Sequence, residues 1–71
     1  MDWDSMRARL HAVPGFEGDA NKAKRKAWIA AALGYRDHKP ENLFLAYAKA
    51  GQAQQLHVER CLEEIERGDA A

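Results

Sequence analysis

The chain has 71 residues, enough for one domain and close to the ~70–80 residues at which a single core is only just sufficient. Hydrophobic residues make up 46% of it, but 14 of them are Ala and only 12 residues are Leu, Ile, Val or Phe; with no Thr and a single Ser, this argues strongly against a sheet protein and gives a core thin enough that a partner or second copy would help complete it. Eleven cations balance eleven anions, which speaks against a strong non-specific nucleic-acid binder, and the longest apolar stretch, Trp28 to Gly34, is far short of the ~20 residues a bilayer requires.

The first predicted helix runs from about Trp3 to Ala12. Asp2 is its expected N-cap, and Asp4 sits in the first turn, where the helix dipole favours an anion. Trp3, Met6, Leu10 and Val13 recur at three- and four-residue steps and share one face. Pro14-Gly15 stops the helix. The second helix is expected over about Ala20 to Leu33, with Asp19 as N-cap. Gly34 serves as its left-handed stop, and Tyr35 folds back in a Schellman motif. Its apolar half, Trp28 to Leu33, reads as buried. Ala23, Ala27, Ala30 and Ala31 form a small-residue face that another helix can approach closely.

The third helix is expected over about Pro40 to Ala50, since Pro suits a first turn. Leu43, Phe44, Tyr47 and Ala50 form its inward face. Gly51 is expected to break the chain, creating an αα-hairpin. The fourth helix then runs from about Ala53 to Arg67, closed by Gly68, with a stripe of Val58, Cys61, Leu62 and Ile65. Residues 69–71 read as a frayed tail. The fold class is therefore all-α: a small single-domain bundle of three or four short helices spanning 1–71. Its expected core is Trp28, Ile29, Leu33, Phe44, Tyr47 and the Val58/Ile65 stripe. One cysteine excludes an internal disulfide and fits a reducing, cytoplasmic setting. No basic-then-apolar leader opens the chain, so no secretory signal is expected.

Charge is unevenly spread. Residues 1–50 carry a balance of +3 and residues 51–71 one of −3. Lys22, Lys24, Arg25 and Lys26 crowd the start of the second helix, against its macrodipole, at about 0.3–1 kcal/mol each. A local rule broken without evident gain can mark a phosphate or acidic-protein contact. The plain alternative is a solvated helix start, its repulsion offset in part by Glu17 and Asp19.

The run Ile29-Ala30-Ala31-Ala32-Leu33-Gly34-Tyr35 resembles the first helix of the AraC-type helix-turn-helix unit. The resemblance covers about a third of the chain and implies a DNA-binding regulator. It fails at Arg36-Asp37-His38-Lys39-Pro40, which is longer than the ~3–4-residue turn of that unit. In the following helix only Asn42 and Lys49 have base-reading chemistry.

Leu45 falls opposite Phe44 and Tyr47, among Glu41, Asn42 and Lys49, and Leu56 falls opposite the Val58/Ile65 stripe. Two leucines outside the core face can anchor a partner, although single exposed leucines are ordinary. His57, Cys61 and Glu64 share one face of the fourth helix and are metal-ligand types. A closed zinc site needs a fourth ligand, from His11 or His38, and no CxxC or HExxH spacing is present. Cys61 thus reads as a small core residue, and no metal or cofactor is expected. Ser5, the one serine, has no adjacent base, and no phosphate-binding glycine loop precedes a helix. The expectation is a non-enzyme.

The leading expectation is a small protein-binding module, an inhibitor or adaptor that masks a partner surface, as small phage and mobile-element accessory proteins do by analogy. The expected partner is an acidic or nucleic-acid-binding protein, met by Lys22, Arg25, Lys26, Arg36, His38, Lys39 and Lys49, with Leu45 and Leu56 as apolar anchors. The alternative is a small dimeric helix-turn-helix-like regulator, with nucleic acid on the second helix and a homodimer formed through the fourth. No membrane partner is expected.

Overall fold

The computed structural model describes residues 1–36 and 40–68. Four α-helices account for most of these: α1 (Trp3–His11), α2 (Lys22–Ala32), α3 (Leu43–Lys49) and α4 (Gln52–Arg67). There is no strand among the described residues, so the all-α class holds. The radius of gyration is 11.4 Å, close to the ~11 Å of a compact chain of this length. No helix among the described residues is long and apolar enough to cross a membrane. The expected frayed tail, 69–71, lies outside the described residues.

Helix ends follow local chemistry. Asp2 caps α1 by accepting from the Ser5 amide at 2.7 Å. That bond holds the Asp2 carboxyl below its usual range. Gly34 takes φ +94°, with Gly34 N–H bonded to Ala31 and Tyr35 N–H to Ala30, which is the Schellman pattern. Gly68, at φ +78°, closes α4 in the same left-handed region.

Two starts differ from expectation. A single 3-10 turn, Asp19–Asn21, precedes α2, so Asp19 does not cap it. The α2 N-cap is Asn21, whose side chain instead donates to the Glu17 carbonyl at 2.7 Å. Helix α3 begins at Leu43, not Pro40, because Asn42 turns its side chain onto the Leu45 amide at 3.1 Å. The break at Gly51 is present. Ala50 and Gly51 are extended (ψ 139° and 171°). Gln55 bridges the corner by donating to the Tyr47 carbonyl at 2.9 Å and the Ala50 carbonyl at 3.4 Å.

The core joins Met6, Leu10 and Val13 to Ile29, Ala32, Tyr47, Val58 and Leu62. Helices α3 and α4 each pack against both α1 and α2, while α1 and α2 do not pack closely on each other. The first helix therefore contributes more to the core than expected, and α3 less. Phe44, expected inside, is 49% exposed. A two-turn helix can bury one narrow row, and Leu43 and Tyr47, one turn apart, occupy it. Trp28 and Leu33 are half-buried against the core. Of the small-residue face, Ala30 is buried, while Ala23, Ala27 and Ala31 are exposed. Val58 and Leu62 of the α4 stripe are fully buried in the chain's own core.

Two tethers hold α1 and the residues just before it to distant parts of the chain. Tyr47 is buried and donates its hydroxyl to the Met1 carbonyl at 2.7 Å. Burial pushes its phenol above the usual range, which keeps the proton in place. Arg9 grips Glu66 of α4 with two donors, Nε to Oε2 at 2.9 Å and Nη2 to Oε1. The Arg9 bond holds the Glu66 carboxyl below its ordinary value of 4.5. A carboxylate with a lowered folded pKa stabilises the fold above its unfolded pKa and loses that contribution as pH falls through the folded value. The melting temperature is therefore expected to fall on acidification from about pH 5 toward pH 3, and Glu66→Gln to flatten part of that slope. A pH series of thermal melts checks this.

Candidate functional site

Because α1 and α2 rest on α3 and α4 without closing on each other, a cleft of about 830 Å³ stays open between them. Its floor carries Leu10, Ile29 and Leu43, and one end is walled by Trp3 and Phe44. These two rings meet edge to face, with centroids 5.9 Å apart. Arg7 and His11, one turn apart, line the α1 wall; Lys22 and Lys26, one turn apart, line the α2 wall. Asp4, Asp19 and Glu41 also line the cleft. The Arg7 guanidinium lies 6.0 Å from the Trp3 ring centroid, within cation–π reach.

The structure divides the basic cluster that the sequence presents as one patch. Arg25 donates Nη1 to the Phe16 and Gly18 carbonyls at 2.5 and 2.6 Å. Lys24 donates to the Gly15 carbonyl at 3.1 Å, with its ammonium 4.5 Å from the Phe16 ring centroid. These two side chains clamp the 15–18 loop against α2. The loop carbonyls give two of these cations partners at an otherwise unfavourable helix end; Arg25, half-buried, lines the cleft as well. Lys22 and Lys26 are exposed, and their side chains form no hydrogen bond or ion pair with another described residue.

The other expected site residues are scattered. Leu45 is 48% exposed on α3 beside Phe44, and Leu56 is 46% exposed on α4; neither lines the cleft. Lys49 is exposed and borders a smaller hollow with Leu33, Tyr35 and Gln54. Arg36 is exposed, while His38 and Lys39 lie outside the described residues. The remaining α4 surface offers a second copy Leu56 and half-buried Ile65 among polar neighbours.

Cys61 Sγ sits 3.5 Å from His57 Nε2. Burial, and then the Glu64 charge, push the thiol above its usual range, which disfavours the thiolate a metal requires. No three of His, Cys, Asp and Glu gather as a metal cluster among the described residues. Ser5 is exposed on α1, and its amide serves the Asp2 cap.

Sequence reasoning missed Trp3, Arg7, His11 and Phe44 as cleft residues. The regular spacing of Trp3, Arg7 and His11 was an available signal for a second row on α1, beside the Met6/Leu10 core row. No protein-family model, curated protein or solved structure matches the chain.

Proposed function

We propose that this chain is a small non-enzymatic binding module that attaches to another protein and masks part of its surface, as an inhibitor or adaptor. The observation that carries this reading is the pair Phe44 and Leu45. Two adjacent large hydrophobic residues stand about half exposed on α3, and Phe44 forms one end of an open, cation-bearing cleft. Aromatic and aliphatic anchors beside a charged rim are the anatomy of a protein interface.

A nucleic-acid surface is less well supported. Lys24 and Arg25 are committed to loop carbonyls. Three acids share the cleft with its cations, which interrupts the continuous positive surface that a phosphate backbone follows.

The experiment is affinity capture from source-cell lysate, with and without nuclease, using wild type and Leu45→Glu. A stoichiometric protein that survives nuclease, tolerates raised salt and is lost with Leu45→Glu is the expected result. Retention of that protein by Leu45→Glu would remove α3 from the interface. Material that vanishes with nuclease and falls steeply with salt would replace the reading with the DNA-binding regulator.

A further inference from the structure

The geometry points to the α1–α2 cleft as a receptor for an acidic peptide segment of the partner, one that carries a bulky apolar side chain beside carboxylates spaced one helical turn apart. This rests on the reading that the protein works by binding another protein.

The two walls present matched rows. Arg7 and His11 stand one turn apart on α1, and Lys22 and Lys26 stand one turn apart on α2, all facing the same cleft. Acidic side chains at that spacing on an entering helix would meet both rows. The floor beneath is apolar, formed by Leu10, Ile29 and Leu43, and it accepts a hydrophobic side chain that charge alone would leave unanchored.

The acids set a direction. Asp4 adjoins Trp3 in the chain and Glu41 lies three residues before Phe44, and both line the cleft with that aromatic pair. An acidic segment would be repelled there, so its apolar residue faces Trp3 and Phe44 while its carboxylates lie along the Arg7/His11 and Lys22/Lys26 rows.

The test uses a synthetic helical peptide of about four turns, with Glu pairs one turn apart flanking a central Leu, titrated into isotope-labelled intact protein and read by amide shifts. Saturable shifts at Arg7, His11, Lys22, Lys26 and Leu43 are expected. Changing the peptide's Glu to Gln is expected to weaken binding about tenfold, the order of two ion pairs lost, and Lys22→Glu with Lys26→Glu in the protein by at least as much, because two repulsions are added. The reversed protein keeps its fold, because both lysines are exposed and acids are favoured near a helix start; its far-ultraviolet circular dichroism checks that.

No saturable shift at these residues overturns the inference. So does equal binding of the Gln peptide or by the reversed protein, or tighter occupation of the same residues by a duplex oligonucleotide. If Leu45→Glu abolishes protein capture while the peptide leaves the cleft untouched, the binding-module reading stands and the cleft inference alone falls.

Discussion

Leu62→Ala is expected to lower the unfolding free energy by about 2–5 kcal/mol, the range for removing a fully buried leucine. Leu62 has no exposed surface and sits in the central cluster with Met6, Leu10 and Val58. A chain of this length holds roughly 4–11 kcal/mol in total, so this one truncation removes a large share of the stability and can unfold the protein at physiological temperature. Few other residues can compensate, because the buried core is small. A urea titration of the two proteins reads the difference. A loss under about 1 kcal/mol would place Leu62 in a site that collapses freely around the missing atoms.

Arg25→Ala is expected to cost about 1.5–3 kcal/mol, the range for hydrogen bonds from a charged group. The guanidinium holds the Phe16 and Gly18 carbonyls together, and its removal frees the loop that leads into α2. Lys22→Ala, three residues away on the same helix, should stay within about 0.5 kcal/mol of wild type. Paired denaturation curves check this contrast. Equal small losses would return Arg25 to the solvated patch that the sequence alone describes.

The difference between those two cations shows where sequence reading stops. Asp2, Gly34 with Tyr35, the break at Gly51 and the stop at Gly68 were all legible, because each is decided by chemistry within a few residues of itself. The Arg25 clamp spans nine residues to reach Phe16, and nothing in a run of four basic residues says which will turn back onto the chain. Phe44 was misplaced for a related reason. A helix begun at Pro40 has a third turn and a wider inward face, but the Asn42 cap shortens α3 to seven residues. Lys22, Lys26, Leu45 and Leu56 are all exposed. The cleft that gives two of them a setting is made by segments that only tertiary packing brings together.

The seam between α1 and α3 divides the two tryptophans optically. Trp3 lies with its ring centroid 5.6 Å from that of Tyr47 and 5.9 Å from that of Phe44, so its emission follows the docking of the first helix. Trp28 sits half-buried on α2, outside that seam. Variants retaining one indole each would separate detachment of the first helix from loss of the remaining bundle, and would show whether so small a core melts as one cooperative unit.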